Sequence, residues 1–215
     1  FRNSPADVGL KPYGAAADYV PEPRLSKQAD RLRATVFNQH IRKTRASRNR
    51  PLIHGLGCAG HGIVLIYTIP IAIEQGISFV TAAVILSLIS LLSVGGRLIT
   101  PILAERFGGK QIMAVAMFIQ GITVLVLFWA HDVWSFYLFA VLFGIGFGGE
   151  MSAYLVVNRQ YFGAGPISTC YGFQTMGALL GHAVATGLAG LIIYVTGSFG
   201  VILVMSMAFS FLGSL

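Results

Sequence analysis

Runs of uncharged residues, broken by short polar stretches, fill most of this chain. One of them, "FVTAAVILSLISLL" at residues 79–92, holds no charge at all. A helix that crosses a hydrocarbon core of ~30 Å needs about 20 such residues. Windows of that length place apolar segments near 52–73, 79–103, 111–130, 134–157, 168–194 and 199–215. The pattern predicts an all-α integral membrane protein with six transmembrane helices. Residues 1–50 are different, being polar and basic. Pro, Gly and Ala in residues 1–23 predict an extended loop. After it, Ser26 is a candidate helix cap, and Leu25, Ala29, Leu32 and Val36 recur at helical spacing beneath Lys27, Arg31 and Arg33. That stripe describes an amphipathic helix on the cytoplasmic membrane surface, with a solvated charged linker as the alternative.

Composition agrees with the pattern: 55% hydrophobic residues, 11% charged residues and a mean hydropathy of +0.72 lie far from soluble globular values. Charge then orients the helices. Eleven of the 15 Lys and Arg fall in residues 1–50, and the others are Arg97, Arg106, Lys110 and Arg159. All share one side if the helices alternate, and the opposite loops at 74–78, 131–132 and 196–199 carry none. Cytoplasmic loops retain such residues, so both ends are expected in the cytoplasm and the protein in the cell membrane. The +7 net charge reads as topology and attraction to anionic lipid, with no nucleic-acid partner. No segment resembles a cleavable leader, and the chain is expected to open within a longer protein. Cys58 and Cys170 sit in or beside helices, where no disulfide framework is expected.

Two motifs do not carry the chemistry they suggest. "GIGFGG" at 144–149 fits a dinucleotide-binding spacing but follows an apolar helix where that motif needs a strand. Its glycines suit helix contacts, with Gly144 and Gly148, like Gly177 and Gly181, spaced by four. In "HGLGCAGH", His54, Cys58 and His61 share a helical face, but further ligands for a metal cannot be placed. No metal or cofactor is expected. An intramembrane hydrolase would want a nucleophile in a Gly-x-Ser-x-Gly setting, and Ser87, Ser90 and Ser93 have none. Ionisable residues inside apolar helices are costly and point to function. Four stand out: His61 and His182 near mid-helix, and Arg97 and Glu150 nearer the cytoplasmic ends. Arg97 and Glu150 lie at comparable depth, so a pair between them is expected if their helices face.

The polar break at 95–110 reads "GGRLITPILAERFGGK". It resembles the signature loop of the major facilitator superfamily: a Gly-Arg helix end, an acid-Arg pair, then Gly and a basic residue. The resemblance implies a cytoplasmic gate built from Gly96, Arg97, Pro101, Glu105, Arg106, Gly108 and Lys110. Glycines would let helix ends pack while the charges bridge termini. Pro101 replaces the usual Gly and Glu105 the usual Asp. "RNSPADVGLKPYG" at 2–14 looks like the family's central loop, and "RQYFGAGPISTCYGF" at 159–173 like its loop between helices ten and eleven. On that map the chain is the C-terminal half of a 12-helix transporter, and its partner is the N-terminal six-helix half.

Within the superfamily, "HGLGCAGHG", "GFGGE" and "YFG" resemble monocarboxylate and oxalate/formate carriers. The lysine of oxalate/formate carriers is missing from "YGFQTMGALLGH", which favours a monoanion over a dicarboxylate. The resemblance implies a secondary transporter that moves a small organic anion by alternating access, with protons as an expected partner. Arg97, His61 and His182 are its substrate-binding candidates, and Glu150 its proton-coupling or ion-pair candidate. In such carriers the arginine of the signature binds the substrate carboxylate, so Glu150 would hold Arg97 until a monoanion competes for it. Two other readings stay open: an organic phosphate or other small-solute antiporter of the same superfamily, and a six-helix membrane protein with no transport role.

Overall fold

The computed structural model describes residues 5, 9–11, 16, 18, 20, 26–163 and 165–215. Leu25 and most of the 1–23 loop fall outside them. The described elements are helices α1 (Lys27–Arg42), α2 (Arg45–Glu74), α3 (Phe79–Phe107), α4 (Gly109–Thr123), α5 (Val133–Phe162), α6 (Ser168–Thr196) and α7 (Gly200–Ser214). A 3₁₀ turn, Val124–Phe128, prolongs α4. The all-α membrane fold read from the sequence is the fold observed. Five of the helices, with α4 and its 3₁₀ turn taken together, are long and apolar enough to cross a membrane. The sixth apolar helix, α7, has 15 residues, about 22 Å at the α-helical rise.

Local chemistry sets most helix starts. Ser26 accepts from the Ala29 N–H at 3.2 Å, Thr44 from Ser47 at 3.3 Å, Ser78 from Thr81 at 3.2 Å and Asp132 from Ser135 at 2.7 Å. Thr44 moves the start of α2 to Arg45, seven residues ahead of the apolar window at 52, so the helix begins with a basic turn. The turn between α3 and α4 pivots on Gly108, whose φ of 92° suits glycine and strains other residues.

The bundle is assembled from closely apposed pairs, α2 along α6 and α3 along α5, with α4 and α7 packed against them. Glycine permits the approach. A Cβ on Gly181 would overlap the Gly55 carbonyl, and one on Gly148 the Ser93 carbonyl. On Gly177 it would lie 2.5 Å from the Pro51 carbonyl oxygen, and on Gly144 2.8 Å from that of Ile89. All four glycines singled out by spacing therefore face a neighbouring backbone. Phe136, Phe139, Phe143, Ile85 and Ile89 fill the core of the α3–α5 side. The outer surface inverts the soluble pattern: Leu98, Ile102, Trp129 and Trp134 are exposed, while Gln120, Glu150, Asn158 and Gln174 are buried. Trp129 and Trp134 flank the loop before α5, where interfacial aromatics belong.

Candidate functional site

Glu150 is wholly buried at the middle of the bundle. Its Oε2 lies 3.0 Å from Nδ1 of His61 on α2 and accepts from the Gln120 amide on α4. Its Oε1 accepts from the Tyr154 hydroxyl, one turn further along α5. Three helices thus converge on one carboxylate. With the carboxylate ionised, Nδ1 of His61 carries the proton and donates. Gly57 makes the space, since a Cβ there would overlap Oε1 of Glu150 and lie 2.5 Å from the Tyr154 hydroxyl. A carboxylate sealed from water is tolerable because it is both paired and multiply hydrogen-bonded. The His54 ring, also buried, stacks on Tyr154 with centroids 3.6 Å apart.

His61, itself buried, has two further ring neighbours. The His182 ring on α6 stands 6.3 Å from it and packs over Gly62, where a Cβ would come 2.5 Å from its Nδ1. Phe147 presents an edge to His61 at 4.9 Å, and the Arg97 guanidinium lies 5.9 Å from the Phe147 ring. His182, His61, Phe147 and Arg97 therefore form a continuous row contributed by α6, α2, α5 and α3. It runs from the buried pair to an exposed arginine. Such a row offers two imidazoles and a planar guanidinium to an anion, with an aromatic face between them.

The pairing expected between Arg97 and Glu150 is not made. Glu150 is paired with His61, and Arg97 is exposed. Helix rotation explains the difference. A Cβ on Gly96 would sit 2.5 Å from the Ile145 carbonyl oxygen and 2.8 Å from the Gly149 nitrogen, so position 96 is the point of closest approach to α5. Arg97 follows about 100° further around α3 and leaves the interface, whereas Glu150 turns inward toward α2 and α4.

The turn at 105–110 is held differently from expectation. Glu105, Arg106 and Lys110 are exposed and form no ion pair among the described residues. Arg106 instead covers the Phe107 ring at 5.4 Å. Gln160 of α5 makes the tie, accepting from the Gly109 N–H at 2.9 Å and donating to the Ala104 carbonyl at 3.1 Å. Pro101 is accommodated within α3, and Gly108 supplies the turn.

Further toward the basic end, Arg50 is buried. It donates to the Asn158 side chain and, at 2.9 Å, to Cys170 Sγ, while its guanidinium covers the Phe162 ring at 3.9 Å. Asn158 in turn donates to Gln174 at 2.8 Å, which joins α2, α5 and α6. Sequence reasoning missed Gln120, Tyr154, Gln160 and this network. A signal is present, because each is a polar residue within or at the end of an apolar run, but a neutral amide or phenol costs less to bury than a charge and marks a site less sharply. Among the described residues no group of three His, Cys, Asp or Glu is arranged to hold a metal ion.

Apolar helices around a sealed charged pair define a multi-pass membrane protein with an ionisable centre. Comparison with known families then gives its place: the model of the Major Facilitator Superfamily matches residues 52–215, most of the chain, and the chain belongs to that superfamily. Members of the family are transporters rather than enzymes. A comparison with curated proteins finds no match.

Proposed function

We propose that this chain is the C-terminal half of a proton-coupled carrier for a small monocarboxylate, working by alternating access at the cell membrane. The observation that carries the reading is the buried His61–Glu150 pair at mid-helix, adjoining a row of His182, Phe147 and Arg97. Carriers of this architecture place substrate and coupling-ion sites near the bilayer midplane and rock one half against the other. A monoanion suits the row: its carboxylate takes the forked guanidinium of Arg97 or an imidazole, and its apolar remainder meets Phe147. The His61–Glu150 pair can hold a proton between two groups of very different basicity and release it when the surrounding solvation changes. Within this topology the basic residues 1–50 face the cytoplasm, where α1 lies against the headgroups.

The test is uptake of a panel of small carboxylates by the full-length protein in proteoliposomes, with and without an inward proton gradient. The gradient should accelerate monocarboxylate uptake, and His61→Gln should flatten its dependence on pH. Uptake that ignores the gradient, or a wild-type pH profile in His61→Gln, removes the coupling role from the pair.

A further inference from the structure

A second feature lies away from this centre, along α2 and α6. A cavity of about 340 Å³ opens at their basic ends, lined by Arg42 of α1, Arg48 of α2, and Thr169 and Phe173 of α6. The Arg42 guanidinium stands 5.7 Å from the Phe173 ring, which holds it over the opening. One helical turn further along both helices begins an apolar groove of about 450 Å³, lined by Leu52 and Leu56 of α2, Leu180, Val184 and Leu188 of α6, and Phe209 of α7. Arg48, Leu52 and Ala59 follow one stripe of α2, and Phe173, Gly177, Leu180, Val184 and Leu188 one stripe of α6. The two hollows are therefore the head and the body of one slot.

We propose that this slot holds a single anionic phospholipid, its phosphate between Arg42 and Arg48 and one acyl chain along the groove. Charge complementarity selects the occupant. Both arginines are exposed, and their forked donors suit the oxygens of a phosphate. Among the described residues no acidic side chain lines the cavity to repel it. Thr169 and Cys170, in the first turn of α6, lie on its wall, and Ile167 at the N-cap gives that helix no side-chain acceptor, so the dipole there favours an anion as well. A soluble anion would use the head alone. The apolar groove has a use only for a ligand with a hydrocarbon chain. The site is independent of the substrate row, since it shares no residue with His61, Glu150, His182 or Arg97, and it holds whichever solute the carrier moves.

Native mass spectrometry of the full-length protein in detergent tests this, with phosphatidylglycerol, phosphatidylcholine and inorganic phosphate as probes. Wild type should retain one phosphatidylglycerol about tenfold or more tightly than phosphatidylcholine, the preference expected from two arginines near one phosphate. The R42Q/R48Q double variant, whose altered side chains are exposed, should lose that preference. V184W should fill the groove and lower retention of phosphatidylglycerol while leaving both arginines in place. Equal retention of the two lipids by wild type, or an undiminished preference in R42Q/R48Q, overturns the proposal. So does competition by millimolar inorganic phosphate together with wild-type retention in V184W, which would mark a plain anion site.

Discussion

Replacing His61 by leucine would remove the basic group beside a fully buried carboxylate. Losing one member of a buried pair costs roughly 3–5 kcal/mol, most of it the penalty of the charge left behind. Tyr154 and Gln120 still donate to Glu150, which sets the expectation at the low end, about 3 kcal/mol. Glu150→Gln keeps the volume and one acceptor but turns an amide N–H toward existing donors, for a loss of about 2 kcal/mol. In the double variant no uncompensated charge remains, so its loss should fall short of the sum of the single losses by about 2 kcal/mol. Thermal unfolding in detergent, followed by the fluorescence of Trp129 and Trp134, measures all four corners of this cycle. With 1 kcal/mol moving the midpoint by about 2–4 °C in a domain of this size, His61→Leu should melt roughly 6–12 °C below wild type. The reasoning fails if the single losses add to within about 0.5 kcal/mol, the behaviour of independent sites, or if His61→Leu melts with wild type.

Three further expectations follow from the same contacts. Gly148→Ala should drive α3 from α5 and cost about 2–3 kcal/mol, as overpacking does, whereas Gly95→Ala, whose added Cβ meets nothing within 4 Å, should be tolerated; equal melting of the two variants would refute the packing. Asp132 caps α5, and its hydrogen bonds from the Ser135 hydroxyl and backbone N–H hold its carboxyl below the usual range. A depressed folded value makes the cap fully effective above about pH 4 and weaker as pH falls through that value, so Asp132→Ala should lower the midpoint at pH 7 and converge on wild type in acid. For orientation, a cysteine placed at Gln75 should react with an impermeant maleimide in intact cells and one at Lys110 only after permeabilisation, and the reverse result would invert the topology.

The helices were legible because their signal is one-dimensional. A run such as residues 79–92 needs no partner to declare itself, and Gly144 and Gly148 announce a contact face through their spacing alone. The site was only half legible, because a pair between helices depends on how each is rotated about its axis. Depth along the chain brought Arg97 and Glu150 level, yet the single step from Gly96 to Arg97 carries the arginine out of the α3–α5 interface. His61 and Glu150 were each visible as costly residues, but their partnership required knowing that Gly57 leaves a hollow between α2 and α5 into which a carboxylate fits. Gln120 and Gln160 were hidden for another reason. An uncharged amide in an apolar run costs less than a charge and draws less notice, although here one holds the buried carboxylate and the other the turn at Gly108.

The location of Glu150 also bears on how the bundle could move. Where glycines bring α2 against α6 and α3 against α5, backbone meets backbone, and close-packed surfaces of this kind shift as units more readily than they deform. Glu150 belongs to one of these pairs through α5, and its hydrogen bonds reach the other through His61 on α2 and α4 through Gln120. The contacts most sensitive to protonation thus lie between the packed units instead of within them. A proton moving onto Glu150, or an anion drawing His61 away, weakens a join without unmaking either pair. Arg97, exposed beside Phe147 and in no ion pair among the described residues, could meet an anion without first breaking an internal bridge. On the proposed carrier reading, attraction of the solute and response of the bundle would reside on different residues, linked by Phe147, which lies beside Arg97 and His61, and by His61, which pairs with Glu150.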